Sequence, residues 1–163
     1  MYLDIHAHFA EEGYDIPAEW ERIAAAGVKK VVLAGDTAAH SLMQRDLAAQ
    51  QALFSAQLEL ADRLALPVQI HSRDCFADML AMLRERRTLL SRGFLMHCYS
   101  HGAAHLDDFV ALGAYFSFGG VACFKNAENV WESVRACPAD RLLSETDSPY
   151  LSPFRGEKNT PAN

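Results

Sequence analysis

The sequence predicts an α/β fold built on a parallel sheet, and three observations lead there. Short apolar runs alternate with amphipathic stretches, the alternation is strictly strand then helix, and polar residues gather where the strands end. With 163 residues, 50% hydrophobic and 22% charged, the chain has enough apolar material for one globular domain with a real core. It is neither disordered nor fibrous. A formal net charge of -6 and a pI near 5.6 argue against a basic face that coats nucleic acid, so any contact with phosphates must be local. The four cysteines, Cys75, Cys98, Cys123 and Cys137, contain no CxxC pair, and no charged leader precedes an apolar run. A reducing, cytoplasmic setting is expected. No run approaches the roughly 18 apolar residues of a spanning helix, so no membrane is expected.

The first strand is Leu3 to His8, read Leu-Asp-Ile-His-Ala-His. Alternate side chains of a strand share a face, which puts Asp4, His6 and His8 on one side and Leu3, Ile5 and Ala7 on the other. Burying such a polar face costs roughly several kcal/mol unless its groups are paired, hydrogen-bonded or ligating. A metal ion would satisfy it, and so would a solvent-facing edge strand; two histidines alone do not decide. Asp15 and Pro17 then open a helix carrying Trp20, Ile23 and Ala24, closed by Gly27. Lys30 to Ala34 is the second strand, Val31-Val32-Leu33 at its centre, stopping at Gly35.

From Ala38 to Leu66 there is neither Gly nor Pro, and the apolar stripe Met43, Leu47, Phe54, Leu58, Ala61, Ala65 is interrupted by Gln50 and Gln51. The run exceeds the roughly 8–20 residues of an ordinary globular helix and reads as two helices joined end to end. Pro67 opens the strand Val68 to His71, and Asp74 is the expected cap of a helix carrying Phe76, Met79, Leu80 and Leu83. Phe94 to Cys98 is a strand after Gly93, followed by a helix around Leu106 to Leu112. Ala114 to Phe118 is a strand, Gly119-Gly120 a turn, Ala127 to Ala136 a helix, and Arg141 to Glu145 the last strand.

His6 and His8, His71, His97, and the pair Glu145 and Asp147 each fall at a strand's C-terminal end or one step beyond. In a parallel barrel those ends converge on one face, where catalytic residues collect. One histidine so placed is an ordinary loop or core residue; four strands ending alike are not. Imidazole with carboxylate in an apolar cup suits zinc, manganese or iron, in a one- or two-metal arrangement.

Five segments, Asp4-Ile5-His6-Ala7-His8, His71-Ser72-Arg73-Asp74, Met96-His97-Cys98-Tyr99-Ser100, Phe124-Lys125-Asn126-Ala127 and Glu145-Thr146-Asp147-Ser148-Pro149-Tyr150-Leu151, resemble the motif set of the TatD family of metal-dependent deoxyribonucleases. They occur in the family's order, and the resemblance runs from Met1 to about Arg45 and from about Gln51 to Asn163. It implies an amidohydrolase-like (β/α)8 TIM barrel, of which six βα units are visible here. It implies His6, His8, His71, His97 and Asp147 as ligands for one or two divalent ions (Zn, Mn or Mg), with Asp147 also catalytic. The implied reaction is 3′ to 5′ cleavage of DNA phosphodiester bonds, at single-stranded ends, by a metal-activated water. An amide or ester hydrolase of the same superfamily, and an inactive remnant, are the alternatives.

The family's pattern also includes two further βα units between the second strand and the Pro67 strand, one carrying a Gly-Glu-Ile-Gly-Leu-Asp motif whose glutamate bridges the metals. Their absence here marks an apparent internal gap near Gln50 and Gln51 in a single domain spanning residues 1–163, with a C-terminus shorter than the family's. A barrel normally takes about 250 residues. Arg73, Lys125, Arg155 and Lys158 are candidate phosphate contacts, although each taken alone reads more readily as a solvated surface charge. Asp4, deeper on the His6 face, suits orienting a ligand. His101 and His105 read as surface residues, Cys98 and Tyr99 as pocket packing. Tyr150 and Phe154 could stack a base, with core packing the favoured use.

Overall fold

The computed structural model describes residues 2–7, 18, 21–22, 25, 28–33 and 47–163, and in the first two strands it is the backbone that is described. Strands β1 (Tyr2–Ala7) and β2 (Val28–Leu33) pair in parallel. Helix α1 (Leu47–Arg63) leads to β3 (Val68–His71), α2 (Phe76–Glu85) and β4 (Phe94–His97). The short α3 (Leu106–Val110), β5 (Ala114–Phe118), α4 (Glu128–Ala136) and β6 (Leu142–Ser144) follow. β3, β4, β5 and β6 form a four-stranded parallel sheet in that order, and β1 lies beside β6. The series β2, β1, β6, β5, β4, β3 is the strand order of a barrel sector in which the last strand meets the first.

All six expected strands are present within a residue or two of their predicted bounds. Alternation explains why the sheet is two-faced. Ile70, Phe94, Met96, Ala114, Phe116 and Phe118 are buried on one face against Leu58 of α1, Leu80 and Leu83 of α2, and Leu106 and Phe109 of α3. The opposite face carries Gln69, His71, Leu95, His97, Tyr115 and Ser117, and its positions nearest the C-terminal ends, His71, His97 and Ser117, are all polar. Gly93, at φ 83, supplies the left-handed turn before β4, and its carbonyl accepts the Val68 N–H at 3.2 Å, tying β3 to β4.

Two local readings are corrected. The described part of the long helical run is one unbroken helix through Gln50 and Gln51; Gln51 is half-buried and its carbonyl accepts the Ser55 hydroxyl at 2.7 Å, while Ala38 to Asp46 lie outside the described residues. Glutamine is a good helix former, so its polarity interrupts the apolar stripe without breaking the helix. Asp74 does not cap α2: Cys75 is the residue before the first turn, and no side chain bonds there. Asp74 instead sits at φ 56, in the left-handed region, where its carboxylate is turned to solvent and lies 3.6 Å from Arg73 Nε. The helix expected from Pro17 falls mostly outside the described residues, with Ala18, Glu21, Arg22 and Ala25 helical.

The two faces of β5 make a direct test. Phe116→Ala is expected to lower the unfolding free energy by about 3–5 kcal/mol, whereas Tyr115→Ala, which loses chiefly its stacking under Arg141 at 4.9 Å, costs about 1 kcal/mol. Urea unfolding of both variants measures this; equal losses would show the Tyr115 face to be packed like the core.

Candidate metal centre at the strand ends

Registry brings the first two candidate residues together. His71 closes β3 and His97 closes β4, and the parallel ladder sets them directly opposite one another. Side chains at paired positions share a face, and the two imidazole centroids are 5.6 Å apart. Across the next two strands the chain returns at Glu145, one residue past β6. Its carboxylate lies within hydrogen-bond distance of His97 Nδ1 (2.6 Å), accepts the Ser117 hydroxyl (2.6 Å) and accepts the Cys98 N–H (2.7 Å). His97 Nε2 is 3.6 Å from Asp147 Oδ1. His71, His97 and Asp147 thus line one rim at the C-terminal ends of β3, β4 and β6.

Among the described residues no group of three His, Cys, Asp or Glu side chains closes on a common point. The described rim therefore does not by itself close a metal site. His6 lies in β1, which runs beside β6, but its side chain is outside the description, and His8 lies outside the described residues altogether. In type, two imidazoles and a carboxylate are donors that a divalent transition ion takes.

Backbone strain concentrates here. Asp74, Cys98 and Asp147 have φ of 56, 47 and 60, each just beyond a strand end on the same side of the sheet. The Asp147 turn is held from behind by Asn159, which is almost fully buried: its Nδ2 donates to the Thr146 and Tyr150 carbonyls at 2.5 and 2.7 Å, and its N–H to Pro149 O at 3.1 Å. Sequence reasoning missed Asn159, because nothing in a Gly-Glu-Lys-Asn loop signals that one amide clamps a turn twelve residues away in the chain from Asp147. It also saw Glu145 only as a neighbour of Asp147.

Burial, then the Glu145 and Asp147 carboxylates, push the Cys98 thiol up to about 12. Cys98 is thus a protonated wall of the site. His101 is corrected from a surface residue: it is half-buried among Phe76, Tyr99 and Phe109 and shares a 2.8 Å hydrogen bond with Ser72 Oγ. Burial, then the nearby His105, lower its pKa and favour neutral imidazole. His105 stacks on Phe76 at 3.7 Å. Tyr150 and Phe154 are corrected too, being about half exposed where core packing was expected. Arg73, Lys125, Arg155 and Lys158 are all exposed, in loops after β3, β5 and β6.

Asn159 and Cys98 offer the checks on this geometry. Asn159→Ala is expected to lower stability by about 2 kcal/mol or more, since it strands two carbonyls, and loop signals of residues 146–151 should shift in NMR spectra; unchanged spectra would refute the clamp. Cys98 should resist thiolate-selective labelling at pH 8 while the exposed Cys123 reacts. Because the folded-state pKa of Cys98 is raised, stability should fall as pH rises above 9.0 toward about 12.

Comparison with known proteins agrees with this architecture. The family model described as TatD related DNase matches residues 41–163. An uncharacterized metal-dependent hydrolase of Escherichia coli K12, YcfH, is 42% identical over 115 residues, 69% of this chain and 43% of that protein. A Buchnera aphidicola metal-dependent hydrolase is 33% identical over 97% of this chain and 60% of its own length. The Klebsiella pneumoniae protein named 3′-5′ ssDNA/RNA exonuclease TatD is 38% identical over 70% of this chain and 43% of its own. The chain spans about half the length of these curated relatives. In fold it resembles the crystal structure of the E. coli TatD homolog YJJV, with TM-score 0.84 and 24% identity over 99% of this chain and 85% of that one. The alternating sheet, the histidines at its strand ends and these matches together make the chain a member of the TatD-related DNase family of metal-dependent hydrolases.

Proposed function

We propose that the protein is a metal-dependent phosphodiesterase that removes nucleotides from the 3′ end of single-stranded DNA. The observation that carries this reading is the rim of His71, His97 and Asp147 on paired strand ends, in a family described as TatD related DNase. The relative named for 3′-5′ cleavage of single-stranded DNA and RNA supports the polarity and the substrate.

On this reading His71, His97 and Asp147, completed by His6 and His8 from the β1 side, hold one or two divalent ions, with zinc or manganese suiting the imidazoles better than magnesium. When bound, such an ion supplies Lewis-acid polarisation of a phosphoryl oxygen and a water acidified toward neutrality. Asp147, with its side chain 17% exposed, reaches solvent and accepts the attacking water's proton. Arg73, Lys125 and Arg155 hold phosphate oxygens of the strand through charge-assisted hydrogen bonds. Tyr150 and Phe154, each about half exposed, offer ring faces to successive bases. Since the net charge is -6, a strand end entering a local cationic cleft is favoured over a long duplex. The free thiols suit a reducing, cytoplasmic setting. Among the described residues no helix is long and apolar enough to cross a membrane.

With manganese added, single-stranded oligonucleotides should be shortened faster than duplexes, and EDTA should abolish the activity. Asp147→Asn is expected to lower kcat by about 10²–10³-fold or more. Preferred cutting inside long duplexes, or turnover of an amide or ester with no phosphodiester cleavage, would overturn the assignment. Replacing Tyr150 and Phe154 by alanine should raise KM for single strands about tenfold with kcat little changed; an unchanged KM would remove the stacking role.

A further inference from the structure

Glu145 is enclosed, with 0% of its side chain exposed and its His97 partner only 5% exposed. Three groups converge on its two oxygens. Oε1 takes the Cys98 N–H at 2.7 Å, and Oε2 faces both the Ser117 hydroxyl and His97 Nδ1 at 2.6 Å. We propose that Glu145 is a positioning residue that fixes His97 in the Nδ1–H tautomer and so makes Nε2, the nitrogen turned toward Asp147, the one that ligates; this rests on the reading of His97 as a ligand.

The argument is an inventory of protons. A backbone N–H can only donate, so Oε1 is committed to accepting from Cys98. Neutral imidazole carries one N–H and one lone pair. If the N–H is on Nδ1, Oε2 receives it and the lone pair is on Nε2. If the N–H is on Nε2, two lone pairs face each other 2.6 Å apart in a site that water does not reach, the costly case of an unmatched buried acceptor. Ser117 adds to the preference, because its hydroxyl already donates to Oε2 and gives that oxygen no proton to pass to His97. A carboxylate behind a histidine is a general device for selecting the ligating nitrogen.

The fold around Glu145 holds it there. Gly119 passes so close to the Glu145 backbone that a Cβ on residue 119 would stand 2.7 Å from the Glu145 carbonyl oxygen. Phe118 O accepts the Glu145 N–H at 3.2 Å. These contacts anchor the Glu145 backbone and its three side-chain partners anchor the carboxylate, so the tautomer is set by chain geometry before any ion arrives.

The decisive substitution is Glu145→Gln, which keeps size and shape. With its Oε1 accepting from Cys98, the amide turns an NH₂ toward His97 Nδ1; that nitrogen must then accept, and the ring proton moves to Nε2. Long-range ¹H–¹⁵N correlations of the metal-free protein, labelled with ¹⁵N-histidine, report the tautomer directly. The wild type is expected to show Nδ1–H at His97 and Glu145→Gln to show Nε2–H, with manganese affinity about 10–100-fold weaker. Wild-type His97 protonated at Nε2 would overturn the proposal without any variant, as would Glu145→Gln retaining Nδ1–H. If the tautomer switches while manganese affinity is unchanged, positioning by Glu145 stands and the assignment of His97 as a ligand falls.

Discussion

The constraint on which this molecule depends is the two-residue alternation of its parallel strands. It sends Ile70, Met96, Phe116 and Phe118 into the helix-covered core, and on the same strands it sends His71, His97 and Ser117 to the other side. Neither set can be changed without the other. A one-residue slip of β4 against β3 would put Met96 opposite His71 and carry the imidazole of His97 into the apolar layer. The packing energy of the core therefore also fixes the position of the rim. Large aromatic side chains in β4 and β5 make that slip expensive.

Position alone does not make a rim chemically competent. At the strand ends the chain leaves regular geometry: Cys98 and Asp147 enter the left-handed region. For residues bearing a Cβ this is held only when the surroundings compensate. At Cys98 an N–H bond to Glu145 does so, and at Asp147 the turn is clamped through Asn159 and the Thr146–Ser148 hydroxyl pair. The same hydrogen bonds that offset the strain orient the polar groups of the site. The turn behind the rim is thus held rigidly, while Tyr150 and Phe154, further along the same chain segment, stay about half exposed.

The separation of sheet contacts also matters. β1 and β2 form one ladder and β3 to β6 another, and β1 stands beside β6. This brings the β1 backbone, which includes His6, beside the strand that leads to Glu145 and Asp147, so strands far apart in the sequence are neighbours. Such convergence is what a barrel sector provides and what a planar array of the same strands in chain order would not.

Much of this was legible in the sequence because strands and their ends are written in local patterns. Val-Gln-Ile-His and Phe-Leu-Met-His each announce a short buried strand with an imidazole at its end, and the alternation of elements carries the fold class without any knowledge of contacts. Other features depend on where remote residues arrive. An aspartate before a helix reads as a cap, yet the β3 turn puts Asp74 in the left-handed region and leaves Cys75 at the helix start. Tyr150 and Phe154 look like core residues, yet about half of each stands exposed. His101 looks exposed until Phe76 and Phe109 close around it. The sequence by itself determined which residues sit at strand ends, because periodicity is a property of neighbours. Only the tertiary structure decided that Glu145 stands behind His97 and Asn159 behind Asp147, because a buried hydrogen bond depends on distances between segments that no local pattern encodes.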